Sequence, residues 1–216
     1  MTKHLLSLGS GALLLGLAAA TAVAAPASAS ASTPAGGSSV AGHVYVNDNT
    51  AGTNTIGAFN RHANGTLTPE PGSPFPAGGA GTGAGLASQG AIQFAAGGRF
   101  VIAADAGSNQ ISVLRVNRGG SLSPVPGGVV SSRGIQPVSI AVHGSLVYVA
   151  NAGTGDSNYT GFRLGRGGHL FPIPGSTVAL PSAAQPGDVL FNGTGTKLVG
   201  TRVGTSQIDS FTVGFG

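Results

Sequence analysis

The sequence predicts an all-β chain of β-propeller repeats, each repeat a four-stranded antiparallel blade, with about three and a half blades present. Three observations carry that prediction. The chain copies itself in several blocks that recur in the same order. Each block is short, rich in Val, Ile, Tyr and Phe, and bounded by Gly, Asn or Pro, which is strand and turn chemistry. No stretch beyond the N-terminal apolar segment shows a sustained helical period.

The first block is Val44-Tyr45-Val46-Asn47-Asp48. It returns as Val101-Ile102-Ala103-Ala104-Asp105, as Val147-Tyr148-Val149-Ala150-Asn151 and more weakly as Leu198-Val199-Gly200-Thr201-Arg202, at offsets of 57, 46 and 51 residues. A second block, Ile56-Gly57-Ala58-Phe59, matches Ile111 to Leu114, Tyr159 to Phe162 and Ile208 to Phe211. A third, Gly65-Thr66-Leu67-Thr68-Pro69, matches Gly120 to Pro124 and Gly168 to Pro172, and Pro71-Gly72, Pro126-Gly127 and Pro174-Gly175 follow it. Gln136-Pro137-Val138 matches Gln185-Pro186-Gly187, and Ala91-Ile92-Gln93-Phe94 is a poorer copy of the segment they begin.

One complete unit therefore has its first strand at Pro137–Val142, its second at Leu146–Ala150, its third at Tyr159–Leu164 and its fourth at about Leu170–Ala179. Tight Gly-containing turns join first to second strands at Ala96-Gly97-Gly98, His143-Gly144-Ser145 and Asn192-Gly193-Thr194. The chain then divides into second-to-fourth strands at 43–80, whole blades at 90–130 and 136–180, and first-to-third strands at 186–213.

Residues 1–29 read as a secretory signal peptide: Lys3 and His4, an apolar run through Leu13–Ala20, and an Ala27-Ser28-Ala29 cleavage pattern. Residues 30–42 read as a flexible Ser/Gly/Pro leader. The expectation is a secreted protein, soluble after cleavage near Ala29 and free of the membrane. Its Ala/Gly-rich, Lys-poor composition points to a bacterial source.

Of 216 residues, 39 are Gly and 13 Pro, only 7% are charged, and none is Cys. That excludes disulfide scaffolds, thiolate zinc sites, Cys nucleophiles and charged helical bundles. Ten Lys or Arg against six Asp or Glu form no basic cluster, which argues against a nucleic-acid partner. Gly79-Ala80-Gly81-Thr82-Gly83-Ala84 fits the dinucleotide fingerprint in letters, but neither a strand precedes it nor a helix follows. It reads as a flexible insertion in one crossover between blades.

The Tyr-Val-Ala-Asn strand end at Tyr148–Asn151, the Gly-x-Leu-x-Pro segments and the Pro-Gly-Ser that follows resemble the seven-bladed lactonase-type β-propellers. That family includes 6-phosphogluconolactonase-like and muconate-cycloisomerase-like proteins. The resemblance spans about Val40 to Gly216. It implies a ring of seven blades, hence twenty-eight strands, where this chain supplies fourteen. The expectation is a truncated copy of a longer propeller; the alternatives are a stable short arc or an oligomer that closes the ring.

In propellers the second-to-third loops and the crossovers between blades surround the funnel that takes ligands. Asp48, Asn49, Asp105, Asn109, Asn151, Asp156, Asn158 and Arg202 fall in those loops, and Arg133, Gln136 and Gln185 in the crossovers. The resemblance implies hydrolysis of a sugar-acid lactone, which needs a base to activate water and cations to hold an anion. Asp105 is the candidate base, and Arg133 and Arg202 the candidate clamp. A structural role competes with catalysis: Asp48, Asp105 and Asn151 share one repeat position and are expected to cap the turn after the second strand. His43, His62, His143 and His169 all sort away from the funnel, and no His pair has metal-ligand spacing, so neither cofactor nor metal is expected. The alternative function is a non-enzymatic extracellular propeller that binds a small ligand or a protein partner through its loops.

Overall fold

The computed structural model describes residues 38–214. The segment read as a signal peptide and most of the one read as a leader lie outside the described residues, so the expectation of export is left where the sequence put it.

Four antiparallel sheets follow one another along the chain. The first holds β1 (Val40–Asn47), β2 (Gly52–His62), β3 (Leu67–Pro69) and β4 (Phe75–Gly81). The second holds β5 (Ile92–Ala95), β6 (Phe100–Asp105), β7 (Gln110–Val116) and β8 (Leu122–Ser131). The third holds β9 (Pro137–His143), β10 (Leu146–Asn151), β11 (Asn158–Leu164), β12 (Leu170–Pro172) and β13 (Val178–Ala179). The fourth holds β14 (Pro186–Phe191), β15 (Lys197–Arg202) and β16 (Gln207–Thr212). These are partial-propeller blades, and the described residues close no ring.

The fourth strand position behaves in two ways. In the first and third sheets it is cut in two, β3 from β4 and β12 from β13, by segments that carry Pro71-Gly72 and Pro174-Gly175. Proline cannot donate to a ladder, so the outer strand leaves its neighbour there and rejoins it later. In the second sheet Pro126-Gly127 stays within β8, and the pairing with β7 shifts register between Ser112 and Leu114 instead.

Two expectations need correction. β1 begins at Val40, inside the segment read as a leader, because the long β2 offers it partners as far as the Val40–His62 pair. Gly79–Gly81, read as part of a flexible insertion, belongs to β4 and pairs with β2 through Gly52–Gly81. Small residues suit that strand because Asp105 of the second sheet packs against Gly79.

The core lies between the sheets, in three layers. Ile56, Ala77, Val101, Ala103, Leu114 and Leu122 fill the first, between sheets one and two. Phe100, Ile102, Ile111, Val113, Ile140, Val147, Val149 and Phe162 fill the second. Val138, Ala150, Tyr159, Val189 and Leu198 fill the third. β6 shows why its sequence lacks polar alternation: Phe100, Ile102 and Ala104 face the third sheet while Val101 and Ala103 face the first, so every position is buried. On the flank of the fourth sheet, Leu190, Val199 and Ile208 are exposed.

Candidate functional site

The crossovers and the loops that follow each second strand converge at one end of the sheets, as the repeat predicts. Backbone hydrogen bonds tie them together. The Ala152 and Gly153 N–H groups donate to Gln136 O and Ile135 O at 2.9 and 2.8 Å. One blade later, Val203 and Gly204 N–H donate to Gln185 O and Ala184 O at 3.1 and 3.0 Å. A cleft of about 300 Å³ opens there, lined by Leu86 and Ala87 of the first crossover, Gln136 of the second, Gln185 of the third, and Ala152, Thr154, Gly187 and Val203.

The cleft is built from strained backbone. Ala87, Gln136 and Gln185 have φ of 50, 55 and 43°, the left-handed region that residues other than glycine rarely adopt. Each such residue costs about 1–3 kcal/mol and persists only where its surroundings over-determine it. Gln136 is held by Asn109, whose Oδ1 accepts its N–H at 2.8 Å, and by Pro137 after it. The carboxamides of Gln136 and Gln185 make no hydrogen bond within the described residues. A larger hollow of about 560 Å³ lies between the β1–β2 loop and the first crossover, with Asp48, Asn49 and Gly83 in its walls. It is an open flank beside the first sheet and lacks that convergence of three crossovers.

The three residues expected to act on a lactone are not brought together. Asp105 is fully buried between sheets one and two. Its Oδ1 accepts from Asn54 Nδ2 at 2.8 Å, its Oδ2 accepts a short hydrogen bond from Ser112 Oγ, and the Gly79 N–H donates to it as well. Burial pushes its carboxyl above the ordinary carboxylate range, and these three donors pull it partly back. Arg202 Nε and Nη2 grip Asp209 at 2.7 and 2.5 Å, the one ion pair among the described residues. Tyr159 Oη donates to the same carboxylate at 3.3 Å. Burial and that anion both push the phenol of Tyr159 upward. Arg133 is exposed, with φ of 63°, and lines a separate hollow with Thr160, Ile173 and Thr177 that shares no wall with the cleft. No hydrogen bond or ion pair joins Asp105 to either arginine.

The shared repeat position does have a shared geometry, though not the expected turn cap. Each residue there is bonded to the side chain seven positions on, across the second and third strands: Thr55 Oγ1 to Asp48 at 2.9 Å, Ser112 to Asp105, Asn151 to Asn158 at 2.8 Å, and Arg202 to Asp209. The turn after β1 is capped instead by Asn47 Oδ1, which accepts the Asn49 N–H at 3.1 Å. The reason is strand length. β6 and β15 run through Asp105 and Arg202, so these side chains point between sheets instead of into a loop. Gln136 and Gln185 were legible as a repeated Gln-Pro pair; what the sequence did not show is that both line one cleft.

No protein-family model matches the chain, and no curated protein is significantly similar to it. Solved structures do match. A protein of unknown function from Desulfotomaculum acetoxidans is 23% identical, with a TM-score of 0.57 over 74% of this chain and 48% of that one. A candidate 6-phosphogluconolactonase from Bacteroides uniformis is 14% identical, with a TM-score of 0.60 over 81% of this chain and 50% of that one. The periplasmic gluconolactonase of Pseudomonas aeruginosa is 15% identical, with a TM-score of 0.59 over 76% and 47%. The chain thus shares the β-propeller fold of these structures and spans about half their length.

Proposed function

We propose that the chain is a ligand-binding propeller module that takes a small polyhydroxylated molecule of the sugar-lactone class in the cleft at the mouth of its crossovers, without hydrolysing it. The observation that carries this is the pair of unengaged carboxamides, Gln136 and Gln185, held on strained backbone at equivalent places in successive blades and lining the same cleft. Carboxamides donate and accept, which suits hydroxyl and lactone oxygens, and the cleft volume of about 300 Å³ is at the small end for such ligands. Against catalysis stand the enclosure of Asp105 and the engagement of Arg202 by Asp209.

Lactone hydrolysis by Asp105, Arg133 and Arg202 is the second reading, favoured by the fold shared with the Pseudomonas gluconolactonase. Calorimetric titration with glucono-δ-lactone, beside a turnover assay, separates the two. The binding reading expects saturable heat without turnover, and a loss of about 3–10-fold in affinity for each of Gln136→Ala and Gln185→Ala. Turnover above the uncatalysed rate that falls in Arg133→Ala would establish the enzyme instead.

A further inference from the structure

Blade one departs from its own repeat at two places. By the block alignment, His43 stands where the second and third blades carry Phe100 and Leu146, both buried apolar residues. Glu70 stands where they carry Val125 and Ile173, which pack in the inter-sheet cores. In the second blade these two positions meet: Phe100 and Val125 both press against Gly168 of the next blade, leaving no room for a side chain there. The counterpart of Gly168 is Gly120, also at φ of +93°, and the His43 ring packs against it with Nδ1 nearest. The His43 and Glu70 positions therefore face the same glycine turn between sheets one and two.

One polar atom of each is stranded there, on a half-buried His43 and a buried Glu70. Glu70 is 9% exposed, and its Oε2 is buried with no hydrogen-bond partner; His43 Nδ1 is likewise buried and unpartnered. They form no direct ion pair with each other. Tyr45 closes the nook, its ring 6.4 Å from that of His43 and its hydroxyl donating to Gly120 O at 2.7 Å. The phenol is pushed upward by burial and then by the nearby Glu70 charge, which agrees with Glu70 lying beside it. A buried carboxylate oxygen and a buried imidazole nitrogen, each without a partner, are costly unless something compensates them.

We propose that His43 and Glu70 bind a divalent transition-metal ion between the first two blades, on the end of the sheets opposite the cleft. An imidazole nitrogen and a carboxylate are the donors such ions prefer, and zinc is the natural probe. Among the described residues no three His, Asp or Glu side chains converge, so this is a two-side-chain site completed by water or the Gly120 carbonyl, and it binds weakly. Its effect is to clamp blade one to blade two.

The test is thermal unfolding of the chelator-stripped full chain with and without Zn²⁺, with Mg²⁺ as control. Zinc at about a hundredfold over its Kd should raise Tm by roughly 5–10 °C, and magnesium should not. His43→Phe and Glu70→Val, which restore the residue types of the following blades, should each abolish the shift while the zinc-free protein melts no lower than the parent. If either variant fails to fold, the visible spectrum of Co²⁺ bound to the unmodified chain decides: one ion per chain with nitrogen and oxygen ligation supports the site. Absence of a zinc shift, or a shift that persists in the two variants, overturns it.

Discussion

Asp105→Ala is expected to lower the unfolding free energy by about 3 kcal/mol, seen as a fall in Tm of roughly 6–12 °C. The substitution removes the acceptor shared by three buried donors, Asn54 Nδ2, Ser112 Oγ and the Gly79 N–H, and leaves the last two without it. Asn54 keeps two other acceptors, Asn47 Oδ1 at 3.0 Å and Ala104 O at 3.2 Å, through which it still joins the first two sheets. Asp105→Asn keeps the shape, removes the charge and turns one acceptor oxygen into a donor that Ser112 Oγ can accept, which makes it the partner experiment. Because the folded-state pKa of Asp105 lies above its unfolded value, near 3.9, its contribution to stability is complete below about pH 4 and is lost as pH rises through the raised pKa. Unfolding free energies measured across pH 4–8 should therefore fall less steeply with rising pH in Asp105→Asn than in the parent. An unchanged slope would show that the folded state does not perturb this carboxyl.

Tyr159→Ala is the second large effect, expected to cost about 3–5 kcal/mol by equilibrium denaturation. Tyr159 is 1% exposed and fixes the fourth sheet to the third. Its ring meets Phe211 edge-on at 5.8 Å, and its hydroxyl fills the place where a side chain at Gly200 would stand. It also donates to Asp209, the carboxylate that Arg202 grips. Tyr159→Phe isolates that last contact and should cost only about 1 kcal/mol. A cost in Tyr159→Ala no larger than that of Tyr159→Phe would mean the ring is not the link between the sheets.

Much of the architecture was legible because the repeat states it several times over. Three copies of the second-strand block and the Gly turns after the first strands appear at their predicted places, whereas the Pro-Gly pairs break the fourth strand in two sheets of three, which the repeat did not foretell. The candidate site was less legible, and the reason is the two-residue period of a strand. One residue more in β6 moves Asp105 from a loop facing the funnel to a buried position facing the first sheet, and nothing in the letters distinguishes the two. Arg202 follows the same logic in β15, where its partner Asp209 comes from the next strand. The left-handed backbone at Gln136 and Gln185 was equally hidden, since glutamine before proline carries no such signal in composition. By contrast, His43 and Glu70 stand out by comparison with the other blades, though only burial shows that they are unpartnered.

The proposed function places recognition in the crossover carboxamides and leaves Asp105 a structural role. Calorimetric titration of the parent, of the Gln136→Ala/Gln185→Ala double variant and of Asp105→Asn with glucono-δ-lactone tests it most directly. Saturable binding to the parent, retained in Asp105→Asn and reduced at least tenfold in the double variant, is the predicted result. Undiminished binding by the double variant, or a continuous heat of hydrolysis that vanishes in Asp105→Asn, would contradict it.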